Sequence, residues 1–273
     1  MISEKDTAVL CDLARIASRE GIEFFVIGAG ARFLIHDWPR RLTGGRGTTD
    51  WDIAVRVSSW RELERLRSAL TSNEAGFKVT GAEHRFSHVG GRRLDVVPFG
   101  GVEAPDRTVT YPHGETTHSV LGLSECAECC VDVAVGDGVS VRVVGPPGLV
   151  LLKANAYLER RSTMTHDVED IDFIAETYRD TLEDATVFKR AADVLQEEVV
   201  LYEDVGAYLL AMDVRALSVA SPVMEPLHQL VDELTEPSSR AVDHVLRGAG
   251  DEQAQRRQAI VRRYSAFKQG LST

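Results

Sequence analysis

Apolar residues recur at helical spacing across residues 3–20, where Val9, Leu10, Leu13, Ile16 and Ala17 make one stripe and Gly21 supplies a stop signal. The period then changes. Ile22-Glu-Phe-Phe-Val-Ile27 is an apolar run of strand length. After it, Gly28-Ala-Gly-Ala-Arg32 reads as a glycine turn leading into a short helix, Ala31 to Trp38, that stops before Pro39. Asp50-Trp-Asp52-Ile-Ala-Val55 predicts a second strand. Side chains alternate along a strand, so Asp50 and Asp52 share one face while Trp51, Ile53 and Val55 take the other.

Ser58-Ser-Trp-Arg-Glu-Leu-Glu-Arg-Leu-Arg-Ser-Ala-Leu70 carries a serine N-cap and apolar residues at Trp60, Leu63, Leu66 and Leu70, which predicts a helix. His84-Arg-Phe-Ser-His-Val-Gly-Gly-Arg-Arg-Leu-Asp-Val-Val-Pro98 reads as two strands joined by a Gly90-Gly91 hairpin turn, with Asp95 on the second. Residues 100–128 are polar, with Pro105, Pro112 and several glycines, and predict a long irregular connection. A further hairpin, 131–135 and 139–144, surrounds Gly136-Asp-Gly138. From Pro146 the period is helical, over 147–160, 167–179, 184–201, 203–220, 224–235 and 238–268. These elements predict an α+β chain, with a mixed β-sheet core and flanking helices over residues 1–145 and a helical C-terminal domain over 146–273. The length of 273 residues suits two such units.

A composition of 44% hydrophobic and 27% charged residues is that of a globular protein. The net charge of −11 argues against a surface wholly devoted to nucleic acid, while leaving room for a local basic patch. Arg40, Arg41 and Arg46 precede the Asp50 strand, Arg92 and Arg93 precede Asp95, and Arg160 and Arg161 follow Lys153. They form either a phosphate-facing set or a solvated surface. No window approaches the ~18 apolar residues of a membrane span, and the first residues lack a basic stretch followed by an apolar one. A cytoplasmic location without membrane contact is expected. Cys126, Cys129 and Cys130 are bunched and Cys11 is distant, with no paired C-x-x-C or histidine partner at zinc-ligand spacing, which predicts reduced structural thiols.

Two carboxylates held together on a sheet repel each other unless a cation sits between them. Mg²⁺, or Mn²⁺ in its place, is a hard ion that takes one or two carboxylates together with substrate phosphates. The backbone N–H groups of the turn at Gly28 and Ala29 can face those phosphates. Ala29 brings no hydroxyl, so contact there rests on the backbone. Asp95, on a strand able to lie beside that of Asp50, would add a third carboxylate to take an acceptor hydroxyl's proton or help a second metal do so. The same aspartates also fit the plain solvent face of a strand. A dinucleotide fingerprint is disfavoured, since Phe33 stands in the third glycine's place and Asp50 and Asp52 open their strand instead of closing it.

Gly28-Ala-Gly-Ala-Arg32 followed by Arg46-x-Thr48-x-Asp50-x-Asp52 resembles the nucleotidyltransferase (polymerase-beta-like) superfamily, specifically its AbiEii-type, toxin-like members. Leu94-Asp95-Val-Val-Pro-Phe-Gly-Gly101 resembles the third-carboxylate strand, and Gly148-Leu-Val-Leu-Leu-Lys153-Ala-x-Ala-Tyr-x-x-Arg160 the lysine helix. His166-Asp167-x-x-Asp170-Ile is similar to the Lys-Asp-x-x-Asp-Leu motif, with histidine in the lysine's place. The resemblance spans about residues 22–175. It implies catalytic and metal-holding roles for Asp50, Asp52 and Asp95, and nucleotide contacts from Gly28, Ala29, Arg32, Arg46, Thr48, Lys153 and Asp167. From the residues alone, Lys153 could equally snorkel from an amphipathic helix, and Asp167 or Asp170 could favour a helix N-terminus.

The implied activity is Mg²⁺-dependent transfer of a nucleoside monophosphate from an NTP to a hydroxyl. Candidate acceptors are the 3′ end of an RNA such as tRNA, a small molecule or a protein side chain. A toxin of a type IV-like toxin–antitoxin system, with an antitoxin protein as partner, is part of the same expectation. The competing expectation is a non-catalytic nucleotide-sensing or interaction module on the same fold.

Overall fold

A computed structural model describes residues 2–42, 47–73, 75–112, 114, 117–246 and 253–272. The chain has an α+β fold and divides into two compact units, Met1–Trp38 with Arg46–Gly145, and Pro39–Gly45 with Pro146–Thr273. Residues 39–42, which the sequence pattern leaves with the first domain, group with the second unit, where Arg40 donates to the Thr181 carbonyl. Among the described residues, no helix is long and apolar enough to cross a membrane.

The first unit opens with α1 (Glu4–Glu20), whose N-cap Ser3 accepts from the Asp6 N–H and whose C-cap Gly21 takes the left-handed conformation. Then come β1 (Glu23–Ile27), α2 (Gly28–Arg32), a π-turn over Phe33–Asp37 and α3 (Trp38–Arg40). Pro39 lies inside α3, and the helical stretch runs on from the π-turn past it to Arg40. β2 (Asp50–Val57) and α4 (Trp60–Leu70) follow. Ser59 holds the N-cap position, and it makes no side-chain cap bond. The Glu62 carboxylate instead accepts from both the N–H and the hydroxyl of Ser58.

Next are β3 (Phe77–Thr80), β4 (Ala82–His88), β5 (Arg93–Gly100), β6 (Thr108–Thr110), β7 (Thr117–Ser119), α5 (Leu123–Ala127), β8 (Cys130–Gly136) and β9 (Val139–Val144). The span predicted as irregular thus holds a small β6–β7 ribbon and a short helix. Among the described residues, seven strands form one mixed sheet in the order β3-β4-β5-β2-β1-β9-β8. The β2–β5 and β1–β9 pairs are parallel and the others antiparallel.

Trp51, Ile53, Val55, Leu94 and Val96 are buried, as are Leu10, Leu13 and Ile16 of α1 and Leu63 and Leu66 of α4. The Trp51 indole N–H donates to Asp6 at 3.0 Å, so the largest core side chain has its polar end satisfied and its ring pinned. Gly30 backs onto that ring, where a Cβ would lie 2.7 Å from Trp51 Cε3. Gly30→Ala gains about 1 kcal/mol of helix propensity and loses about 1–3 kcal/mol to overpacking against an immobile ring. The expected result is a net loss of stability, read as a lower urea midpoint at unchanged slope; a higher midpoint would show that Trp51 can shift.

The second unit is helical: α6 (Pro146–Arg160), α7 (His166–Thr177), α8 (Asp184–Gln196), α9 (Val205–Ala216), α10 (Ser221–Leu234), α11 (Arg240–Val245) and α12 (Gln253–Ser272). α9 is buried nearly all round, as a helix apolar on every side must be. α12 reaches it closely at Gly270, where a Cβ would meet the Tyr208 carbonyl at 2.2 Å. Ion pairs join the other helices, Arg263 to Asp172 at 2.7 Å and Arg161 to Glu233 at 2.7 Å.

Candidate active site

β2 and β5 run parallel in a register that sets Asp52 directly opposite Asp95 and Asp50 opposite Arg93. On the outer side of β5, Arg85 of β4 stands opposite Asp95; on the other side of β2, Ile27 of β1 stands opposite Asp52. One row across four strands therefore reads Arg85, Asp95, Asp52, Ile27, and Gly28 follows at the end of β1. Residues opposite one another in a sheet project to the same face, so the three carboxylates share one surface, each half-buried. The opposite face is the core of Trp51, Ile53, Leu94 and Val96.

Gly28 has φ +66° and a Cβ there would fall 2.5 Å from Asp52 Oδ2. Glycine is required twice over, by a left-handed backbone and by the carboxylate pressed against it. The turn thus brings main chain into contact with Asp52, while Ala29 stands half-buried beside it.

Two of the three carboxylates are paired with arginines. Arg85 donates from Nε and Nη2 to the two oxygens of Asp95 at 2.8 and 2.7 Å. Arg93 does the same to Asp50 at 2.7 and 2.6 Å. Paired two-bond contacts of this kind are the strongest arginine–carboxylate geometry. Hydrogen bonds and charge from Asp95 hold Arg85 more firmly protonated than usual, with Asp50 and Asp52 adding to the effect. Asp95 and Asp50 are thus each turned to a guanidinium, and among the described residues no three His, Cys, Asp or Glu side chains converge to hold an ion. The expected three aspartates thus share one face, with Asp95 and Asp50 each held by an arginine. The donors still suit a hard divalent ion, being carboxylate oxygens on adjacent strands.

The remaining described candidates have partners of their own. The Thr48 hydroxyl donates to the Asp50 carbonyl at 2.8 Å and accepts from the Asp50 N–H at 3.2 Å, pinning the start of β2. Arg32 is 1% exposed and paired with Asp37 at 3.0 Å across the π-turn, so it does not face solvent. Arg46 lies outside the described residues.

Lys153 and Asp167 belong to the second unit. Lys153 Nζ donates to Asp170 at 2.7 Å and Asp167 at 3.2 Å, and Arg160 donates to Asp167 at 2.8 and 3.0 Å. Lys153, Asp167 and Asp170 are all buried. Burial pushes the Asp167 carboxyl up, but the charges of Lys153 and Arg160 outweigh it and hold the group below its usual range. In this structure the lysine's charge is spent on fastening α6 to α7.

Arg85 and Arg93 are the site residues that motif reading did not assign. A signal was present: around the Gly90-Gly91 turn, Arg85 and Asp95 are equidistant from Gly90, which is how a hairpin pairs its strands.

No protein-family model matches the chain, and no curated protein matches it. Solved structures do. The chain is similar to an antigenic nucleotidyltransferase-like protein from Paracoccidioides brasiliensis at 16% identity and TM-score 0.41, covering 71% of this chain and 92% of that one. It is similar to the antibiotic-resistance factor ANT(2'')-Ia at 14% identity and TM-score 0.38, covering 70% of this chain and 96% of that one. It is also similar to the Thermotoga maritima CCA-adding enzyme, solved in complex with tRNA, at 13% identity and TM-score 0.23, covering 97% of this chain and 81% of that one.

Proposed function

We propose that this chain is a divalent-metal-dependent nucleotidyltransferase that moves a nucleoside monophosphate from an NTP to a hydroxyl acceptor. The observation that carries it is the register of Asp52 and Asp95 on adjacent parallel strands, with Asp50 on the same face and Gly28 against Asp52. In this reading the acceptor oxygen bonds to the α-phosphorus, the bond from that phosphorus to the β-phosphate oxygen breaks, and pyrophosphate leaves. Asp50 and Asp52 would hold Mg²⁺ or Mn²⁺, which supplies positive charge against the triphosphate. Asp95 would take the proton of the acceptor hydroxyl. Arg85 and Arg93, bonded to Asp95 and Asp50, are able to transfer from carboxylate to phosphate, which matches a guanidinium equally well.

The acceptor class is an RNA 3′ end such as that of tRNA, a small molecule or a protein hydroxyl, and a toxin role with an antitoxin partner belongs to the first of these. Incubating the full chain with each labelled NTP, Mg²⁺ and fractions of cell RNA, protein and small molecules tests the activity and identifies the acceptor. Label in one fraction with release of pyrophosphate is expected; no label in any fraction with any NTP overturns transferase activity. The second reading, a nucleotide-sensing module, is favoured by the arginine pairs themselves, which already neutralise Asp50 and Asp95. It is the outcome if Mg²⁺ with NTP raises the melting temperature while nothing is labelled.

A metal ion must compete with Arg93 for Asp50. Arg93→Gln is expected to tighten Mn²⁺ binding about twofold to fivefold, the range for an exposed ion pair, measured by calorimetric titration. An unchanged dissociation constant would remove Asp50 from the metal site.

A further inference from the structure

Of the cysteines, Cys11 and Cys126 are buried and Cys129 and Cys130 are half-buried, and all four are free thiols. The last three lie together where α5 ends and β8 begins. The Cys129 N–H donates to the Cys126 carbonyl at 3.1 Å, closing a single turn that brings the two Cα atoms within the separation a disulfide spans. The Cys129 thiol lies over the same turn, donating to the Cys126 carbonyl at 3.2 Å. Cys130 also donates to the Cys126 carbonyl at 3.2 Å, but adjacent residues 129 and 130 do not offer the turn that 126 and 129 share.

The thiols differ in reactivity. The hydrogen bond from Cys126, opposed by partial burial and helped by Arg142 of β9, lowers the Cys129 thiol to about 7. Burial pushes Cys130 up to about 12, and Cys11 and Cys126 are raised too, Cys11 by burial and Cys126 chiefly by its bond to Cys129 and by burial. Near neutral pH the half-exposed Cys129 is the nucleophile, and Cys126, at the other end of the same turn, is the natural second partner.

We propose that Cys126 and Cys129 form a thiol–disulfide exchange site, at which a small-molecule disulfide modifies Cys129 and Cys126 resolves the adduct into an intrachain disulfide. In the first step the Cys129 thiolate bonds to one sulfur of the disulfide RSSR, the S–S bond breaks, and one RS⁻ leaves. In the second the Cys126 thiol gives up its proton, its sulfur bonds to Cys129 Sγ, and the second RS⁻ leaves. The two protein thiols are oxidised by two electrons and RSSR is reduced to two RSH. α5 packs on β5, so the cross-link forms beside the strand that carries Asp95. The proposal does not depend on transferase activity.

The test treats the full chain with oxidised glutathione, blocks remaining thiols with iodoacetamide and maps peptides by mass. An intrachain Cys126–Cys129 bond with Cys11 and Cys130 alkylated is expected. Cys126→Ser should stop at a stable glutathione adduct on Cys129, and Cys129→Ser should not react at Cys126 or Cys130. On the unmodified chain, iodoacetamide should label Cys129 first, with a rate that is half-maximal near pH 7, a readout that needs no variant. Persistent glutathione on Cys129 in the unmodified chain, or oxidation of the Cys129→Ser chain at the original rate, would overturn the proposal.

Discussion

In the proposed transferase, Asp52→Asn is expected to lower the rate of nucleotidyl transfer by about a thousandfold, equivalent to about 4 kcal/mol of transition-state stabilisation, and to leave the fold intact. The effect is large because Asp52 occupies the centre of the row. Asp95 lies opposite it on β5, Asp50 shares its face of β2, and the Gly28 main chain presses on its carboxylate. Asparagine keeps shape and hydrogen bonding while removing the charge that a divalent cation needs. It also relieves repulsion with two neighbouring carboxylates, so the melting temperature is expected to hold or rise. Rates come from label transfer under single-turnover conditions, with the melting temperature measured alongside. Transfer that survives Asp52→Asn unchanged would sink the site assignment. Loss of transfer together with collapse of the fold would instead show that Asp52 is structural.

Lys153→Met destabilises the protein by about 3–5 kcal/mol, the usual effect of removing one member of a buried ion pair. Lys153 is 5% exposed, Asp167 6% and Asp170 1%, so the loss is little screened by water. Methionine keeps the packing of the stem and removes only the ammonium, leaving the carboxylates of α7 to face a low-dielectric interior with their nearest lysine gone. Urea unfolding of the full chain should show the midpoint fall, and Lys153→Met combined with Asp170→Leu should recover part of the loss. If stability holds and only NTP affinity falls, the lysine is a phosphate contact, as its motif implies.

The Asp167 carboxyl adds a pH signature. Its folded form titrates below the usual 3.8, so its stabilisation is complete above that value and disappears as pH falls through the lower folded one. Asp172 has the opposite sign. Burial outweighs Arg263 and raises its carboxyl, so its ionisation on raising the pH costs stability.

The site's carboxylates were legible because strand geometry is local. A period of two along β2 separates Asp50 and Asp52 from Trp51, Ile53 and Val55 whatever the neighbours are, and the burial of the latter three follows. Helices α1 and α4 were legible for the same reason, through their periodic apolar faces. β3, β6 and β7 were not, having four, three and three residues, too few to display a period. Their hydrogen bonds come from the partner strand, which no local pattern announces.

What the amino-acid order determined by itself is the alternation, the turns and the identity of the charged residues. Tertiary structure decided who neutralises whom. Pairing of β4 with β5 and of β5 with β2 gave Arg85 to Asp95 and Arg93 to Asp50. Packing of α6 on α7 buried Lys153 between two aspartates. Charge–charge energies rise steeply as water is excluded and distance shrinks. Both quantities are set by contacts between residues far apart in the chain, and so the electrostatics of this site appear only once the strands and helices are assembled.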